Sequence, residues 1–347
     1  MCLHPFPSAV AAVLHAHYAQ SGVRLERVRG GHSTQNFRAV NDEGTSLFVK
    51  VYPDSTDLGA ERRAIELTQR AGEHGVPTAL PRVSVDGETL TRVGSTVLSV
   101  WEWVHGHTES GGFSPTQHTV VGRALGRIHT VFAHHQLSGT ASPWVQDWYE
   151  PGLDSVRERA RALLELIGGR DQHEEFDSLA HTTLNERLGM LAEVPDLLAG
   201  VPRDLNTQVL HGDFTAPNLL FDGDDLAAVV DFRPPVPYML AFELGRIAFD
   251  PRTVALDERW IDSAARLVAA YLDANPAVAR RDVFACGRVA LIQMLRSLYG
   301  VEQHYLAPDP DQQGLDRFWE LRQQAAERLL RNLGEVESML GGVCSTR

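Results

Sequence analysis

Between residues 209 and 232 the chain reads VLHGDFTAPNLLFDGDDLAAVVDF, which places His211, Asp213, Asn218 and Asp231 in two short apolar runs joined by a turn. Carboxylates beside a carboxamide could take a proton from a hydroxyl and hold a divalent cation, so the set reads as a phosphotransfer site. Asp222 to Asp225 separate NLLF from LAAVV, and an Asp-Gly pair between apolar runs predicts a hairpin. That turn would bring Asn218 and Asp231 to the same end of a two-stranded ribbon. The same acidic run lacks the later Asp or Asn and the terminal Glu of a calcium loop, which argues against calcium.

The spacing His-x-Asp-x-x-x-x-Asn matches the catalytic loop of kinases, where the Asp accepts the proton of the attacking hydroxyl and the Asn holds magnesium. On that pattern Asp213 is the base and Asn218 a magnesium ligand. Asp231, followed by Phe232 at the end of the β-branched run AAVVDF, stands where a kinase presents its main magnesium carboxylate. Alone, each signal is weak: the spacing arises by chance in roughly a few per cent of such chains, and an Asp at a strand end is commonly a turn residue. Its context lies in the elements that must position it.

Residues 23–51 alternate apolar and polar positions, with Asn41, Asp42 and Gly44 as turn formers, and predict three antiparallel strands. The first turn, Gly30-Gly31-His32-Ser33-Thr34, could lay the Gly31 backbone and the Ser33 and Thr34 hydroxyls over nucleotide phosphates; a plain hairpin turn fits the same residues. Lys50, between Val49 and Val51 on the third strand, is the one lysine among 32 basic Lys and Arg residues. A chain that otherwise uses arginine places a compact ammonium where kinases hold the α- and β-phosphates. The helix expected from about residue 57 to Gly75 carries Glu61, which can face Lys50, with Glu66 as the competing partner. Further on, STVLSVWEWVHGH reads as a strand running into a hinge. There the backbone of Glu102 to Val104 could pair with an adenine edge, and an interior strand packed on Trp101 and Trp103 is compatible with that.

From Ser114 the period changes to 3.6. A capping box, Ser114 to Gln117 with Pro115 first in the helix, precedes Val121, Leu125, Ile128 and Phe132 on one face. His129 shares that face and reads as a satisfied core histidine. More helices are expected at about 154–168, 178–194, 257–274, 281–300 and 312–338. Trp144, Trp148 and Tyr149, beside Asp147 and Glu150, fit a clamp for a cationic or sugar substrate and a helix-packing cluster equally well. The change of period near residue 106 divides the chain into residues 1–105, a nucleotide-binding N-terminal lobe, and residues 106–347, a lobe with the catalytic loop and substrate-binding helices.

Composition bounds the class. With 347 residues, 43% hydrophobic and 22% charged, this is a globular chain long enough for two lobes. No apolar run is long enough to span a membrane, and the N-terminal segment reads as an amphipathic helix, so a cytoplasmic protein without a membrane partner is expected. Cys2, Cys286 and Cys344 are far apart and in no metal-like spacing, consistent with a reducing compartment. A net charge of −13 argues against nucleic acid as a partner and better tolerates a cationic small molecule.

Taken in order, the loop, Lys50, Glu61, the hinge, the helical insert, VLHGDFTAPNLLF and VVDF resemble the aminoglycoside phosphotransferase and choline kinase family, over roughly residues 20 to 300. The resemblance implies an α+β, bilobal protein-kinase-like fold: an N-terminal antiparallel sheet lobe with one helix and a larger, mainly helical C-terminal lobe. It implies that Asp213 is the catalytic base, that Asn218 and Asp231 hold Mg2+, and that Lys50 with Glu61 clamps the phosphates of ATP, or of GTP. His211 then looks structural. The Gly before Asp213 replaces the Arg of protein kinases, which points to a small-molecule hydroxyl acceptor. Three positions depart from the family pattern: Pro217 where Gly often precedes the Asn, Glu243 in the segment AFELGRIAF where an Asp is common, and Arg233 after Asp231-Phe232.

The expected activity is transfer of the γ-phosphoryl group of ATP to a small-molecule hydroxyl, with an aminoglycoside or other sugar-bearing antibiotic first and a choline, homoserine or sugar-type alcohol as the alternative. A metallohydrolase using His211, Asp213 and Asp231 would leave Lys50 and the N-terminal strands unused. An inactive kinase fold usually lacks a base, metal or lysine position, and all are filled here.

Overall fold

The computed structural model describes residues 7–28, 34–139, 142–150, 152–172, 174–308 and 311–345. In chain order they form α1 (Pro7–Tyr18), β1 (Arg24–Val28), β2 (Gln35–Val40), β3 (Ser46–Tyr52), α2 (Leu58–Glu73), β4 (Pro81–Arg82), β5 (Thr91–Val93) and β6 (Thr96–Glu102). Helices α3 (Pro115–Phe132), α4 (Pro143–Tyr149), α5 (Leu153–Gly168), α6 (Glu175–Met190) and α7 (Val194–Ala199) lead to β7 (Thr207–Val209), β8 (Leu219–Asp222), β9 (Asp225–Val229) and β10 (Pro237–Met239). The rest is helical: α8 (Leu240–Ala248), α9 (Pro251–Leu256), α10 (Trp260–Ala274), α11 (Arg280–Arg296), α12 (Val301–Leu306), α13 (Gln312–Arg331) and α14 (Leu333–Ser345). Two compact units result, the first being Met1–Thr108 with His211–Asp213 and Asn218–Pro235, the second the remainder.

In the first unit the strands pair antiparallel in the order β1-β2-β3-β6-β4, with β5 also on β6. The period-two pattern of β3 decides which face does what. Leu47, Val49 and Val51 are buried with Phe37, Leu98 and Val100 against Val10, Val13 and Leu14 of α1. The alternate residues point the other way, so Tyr52 packs with Ile65 of α2 and Trp101 of β6. Lys50 belongs to that second set, in register with Asn36 and Ser99. Helix α2 starts where the Asp57 carboxylate accepts from the Gly59 and Ala60 amides, and it buries Ala64, Ile65, Leu67 and Ala71.

The β8–β9 hairpin turns through Gly223 and Asp224, as its Asp-Gly pair requires, and bulges between Leu220 and Phe221. It belongs by contact to the first unit although more than a hundred residues separate them in sequence. Thr78 bridges to Val229, and His107 bridges to Phe221 with backbone hydrogen bonds of 3.0 and 2.8 Å.

The second unit is helical apart from a β7–β10 ribbon. Ser114 caps α3 through the predicted box with Gln117. Gly122 and Gly126 of α3 allow α10 to approach closely: a Cβ at Gly122 would lie 2.1 Å from the Leu267 carbonyl oxygen, and one at Gly126 2.5 Å from that of Tyr271. His129 is fully buried, with Nδ1 2.9 Å from the Tyr271 hydroxyl and Nε2 3.0 Å from Glu243, which confirms a satisfied core histidine.

The structure corrects several sequence-based boundaries. The helix expected over 312–338 is two, α13 and α14, separated at Asn332. Helices α4, α8 and α9 span at most nine residues, too few turns for a period to stand out. Residues 79–90, ALPRVSVDGETL, alternate as a strand would, yet of these only Pro81 and Arg82 pair with β6; a further short partner of β6, Thr91–Val93, follows them. Among the described residues, no helix is long and apolar enough to cross a membrane.

Candidate active site

The site is built on the stretch that joins β7 to β8. Gly212 holds φ +88°, and a Cβ there would lie 2.6 Å from that of Arg233, so only glycine fits between His211 and Asp213. His211 is fully buried, and its ring centroid lies 4.3 Å from that of Phe232. The Asp213 backbone N–H donates to His211 Nδ1 at 3.2 Å, which leaves Nε2–H to donate to the Val230 carbonyl at 3.1 Å. One imidazole thereby ties the Asp213 loop to the strand that delivers Asp231.

Asn218 closes the loop from the other side. Its amide Nδ2 donates to the Asp213 carbonyl (2.8 Å) and to Asp213 Oδ2 (3.3 Å), and the carbonyl partner fixes which end of the amide is nitrogen. The Asn218 carbonyl in turn accepts from the Val230 N–H at 2.9 Å, beyond the last ladder pair Leu219–Val229, so the hairpin brings Asn218 to the end where Asp231 emerges.

Asp231 has φ +64°, a left-handed conformation rare outside glycine that costs of order 1 kcal/mol and tends to occur at functional sites. Its Oδ1 lies 2.7 Å from Lys50 Nζ and its Oδ2 3.7 Å from Arg233 Nη2. Burial alone would raise this carboxyl's pKa, but Lys50, through charge and hydrogen bond, and then Arg233 outweigh it and hold it below the ordinary range. Lys50 itself lies 5.9 Å from the Trp101 ring centroid.

Glu61, the partner expected for Lys50, forms no ion pair with it among the described contacts. Among the described residues Lys50 has Asp231, not Glu61, as its ion-pair partner. The Glu61 carboxyl is nevertheless close enough to feel Lys50. Burial raises its pKa, with Lys50 opposing and Asp231 adding to the rise, and the net shift is upward. Tyr52, buried beneath it, hydrogen-bonds Ser99 Oγ at 2.9 Å, and the Trp101 indole donates to the same oxygen at 2.7 Å. Sequence reasoning missed Tyr52 and Ser99: Tyr52 shares the face of Lys50 two residues on, and Ser99 lies opposite Lys50 in a register that only the folded sheet shows.

Thr34 hydrogen-bonds Asn36 at the start of β2 (2.9 Å), while Gly31 and Ser33 lie outside the described residues. Glu102 ends β6, its N–H donating to the Leu80 carbonyl (2.9 Å) and its carboxylate 3.5 Å from Arg82. Val104 lies beyond that strand. Trp103 packs on Phe48 and under the Arg38 guanidinium, 4.8 Å from its ring centroid. In the second unit, Trp148 and Tyr149 are buried and T-stacked and the Tyr149 hydroxyl binds the Pro202 carbonyl, so these two pack helices; Trp144 is exposed.

A magnesium ion fits the donor set. With Nδ2 committed to Asp213, Asn218 has its Oδ1 available beside an ionised Asp231, and a hard cation that keeps water and phosphate oxygens needs few protein ligands. No cluster of three or more His, Cys, Asp or Glu side chains suited to a metal occurs among the described residues.

An antiparallel sheet carrying a lone lysine opposite an Asp-bearing hairpin, followed by a helical unit, is the architecture of kinase-like α+β folds. Solved structures agree. Spectinomycin phosphotransferase, in complex with ADP and spectinomycin, has a TM-score of 0.64 at 13% identity, over 92% of this chain and 98% of its own. An amicoumacin kinase in complex with AMP-PNP and Ca2+ has a TM-score of 0.58 at 12% identity, over 93% of each chain. The aminoglycoside phosphotransferase of Alicyclobacillus acidocaldarius has a TM-score of 0.58 at 16% identity, over 94% of this chain and 96% of its own. The Phosphotransferase enzyme family (APH) matches residues 24–284, and this chain belongs to that family. Among curated proteins, a homoserine kinase of Bradyrhizobium diazoefficiens is 25% identical over 181 residues, 52% of this chain, and the match spans about half, 49%, of that relative.

Proposed function

We propose that the protein is a cytoplasmic, magnesium-dependent kinase that moves the γ-phosphoryl group of ATP to a hydroxyl of a small molecule. The observation that carries this is the Lys50–Asp231 contact of 2.7 Å beside the Asn218–Asp213 bond, which brings an ammonium, two carboxylates and a carboxamide together in one unit. Lys50 holds the nonreacting phosphates as a point charge. Asp231 and Asn218 Oδ1 would hold magnesium, which when bound neutralises charge on the phosphates. Asp213 orients the acceptor hydroxyl and takes its proton. Gly31, Ser33 and Thr34 cover the phosphates, Glu102 and Val104 pair with the base through their backbone, and Glu61 sets the reach of Lys50.

For the acceptor we favour an aminoglycoside or another sugar-bearing antibiotic, in keeping with the spectinomycin phosphotransferase whose fold this chain shares. The homoserine kinase relative supports a second reading, a metabolic kinase for an amino alcohol or similar hydroxyl compound. Acceptor-dependent ADP release by purified protein, across antibiotics, homoserine, choline and sugars, tests both. Release with one class, requiring magnesium and absent in Asp213→Ala, supports the kinase and selects the acceptor; nucleotide-independent turnover with a transition metal would reject it in favour of a hydrolase.

A further inference from the structure

Arg233 has a place in this site that its sequence position does not explain. Its Nη2 lies 3.2 Å from Asp213 Oδ2 and 3.7 Å from Asp231 Oδ2, so one guanidinium spans the two carboxylates. Its backbone is clamped: the N–H donates to the His211 carbonyl at 2.9 Å, and its Cβ occupies the space that Gly212 leaves. Pro234 and Pro235 follow, each with a restricted φ. The side chain is 50% exposed, so a fixed Cα carries a guanidinium with room to turn.

Resting on the reading above, the acceptor oxygen must approach Asp213, while the bond that breaks lies beside Asp231. The γ-phosphoryl group therefore passes through the space that Arg233 spans. We infer that Arg233 is a catalytic residue that leaves Asp213 as the acceptor hydroxyl arrives and binds the equatorial oxygens of the phosphoryl group in flight. In that step the acceptor oxygen bonds to the γ-phosphorus as the bond to the β–γ bridging oxygen breaks. The electron pair stays with ADP, the hydroxyl proton passes to Asp213, and Arg233 exchanges no proton. A planar, permanently charged fork suits three oxygens that share a growing charge better than an ammonium would, and charge aimed at that point lowers the barrier without tightening ground-state binding. GTPase sites receive such an arginine in cis or from a partner protein, where it stabilises the charge of the phosphoryl group in transfer.

The test compares wild type, Arg233→Ala and Arg233→Lys for binding of Mg–ADP alone and of Mg–ADP with fluoroaluminate, a mimic of the phosphoryl group in transfer, alongside steady-state kinetics. Thermal melts establish that each variant is folded, and Arg233→Lys keeps a charge if Arg233→Ala is not. Expected are near-wild-type affinity for Mg–ADP, loss of the added affinity from fluoroaluminate, and a fall in kcat of about 10²-fold or more with both KM values little changed. An Arg233→Ala protein that keeps the fluoroaluminate gain overturns the inference. So does a loss confined to the acceptor KM, which would make Arg233 a receptor for an anionic group on the acceptor. Wild type that binds no Mg–ADP would overturn the kinase reading itself, a result distinct from either.

Discussion

Lys50 Nζ and Asp231 Oδ1 lie 2.7 Å apart although 181 residues separate them in sequence. The contact joins the third strand of the sheet to the end of a hairpin formed much later in the chain. It also sets the charge state of the site, since the ammonium is a main reason that the Asp231 carboxyl stays ionised.

A guanidinium cannot replace that ammonium. It is planar and longer, and the face it would occupy is already filled by Trp101, Tyr52 and Ser99. Lys50→Arg should lose about 10²-fold or more in kcat/KM while the fold persists, as steady-state kinetics and a thermal melt would read. Kinetics equal to wild type would remove Lys50 from the mechanism.

The proposed function puts Asp213 on the acceptor side. Asp213→Ala should lower turnover by about 10²–10⁴-fold and leave Mg–nucleotide affinity within a few fold, as measured by titration calorimetry. Equal losses in binding and turnover would assign Asp213 to the nucleotide instead.

Gly212→Ala places a methyl group against Arg233 at a φ of +88°. The strain should cost about 1–3 kcal/mol, seen as a lower denaturation midpoint at unchanged m-value, and turnover should fall as well because Asp213 and Arg233 move together.

The two carboxyls near Lys50 should answer to pH in opposite senses. The Asp231 carboxyl is held below its unfolded value, so its stabilisation is present above that value, near 4, and is lost as pH falls through the lower folded one. The melting-temperature advantage of wild type over Asp231→Asn should therefore be greatest at neutral pH and shrink on acidification. An advantage that grew with acid would contradict the ion pair.

Glu61 is raised, chiefly by burial, so ionising it costs the folded state as pH rises through its folded value. Glu61→Gln should therefore gain stability relative to wild type as pH climbs from about 4 toward neutrality. Turnover by that variant then reports separately on whether Glu61 sets the reach of Lys50.

Short-range patterns exposed much of the site. The His211–Asp213–Asn218 spacing, Asp231 at the end of a β-branched run and the Asp-Gly turn all lie within a single stretch, where a local motif carries its geometry with it. The lone lysine was legible because composition made it unusual. Tyr52 and Ser99 were not, because a buried hydroxyl under a catalytic side chain is indistinguishable in sequence from any other strand residue. The capping box of α3 was legible, whereas the break at Asn332 and the short helices were not, since neither leaves a periodic trace.

By itself, then, the sequence determined what local chemistry determines: alternating strands, a capped helix of period 3.6, a hairpin, and a set of residues suited to phosphoryl transfer. The tertiary structure decided which of them meet. Lys50 pairs with Asp231 rather than Glu61, Arg233 spans both carboxylates, and the β8–β9 hairpin is bridged to Thr78 and His107. These are contacts between residues far apart in the chain. They depend on the register of β3 against β6 and on the left-handed turns at Gly212 and Asp231, and such long-range closure leaves no periodic signature in sequence.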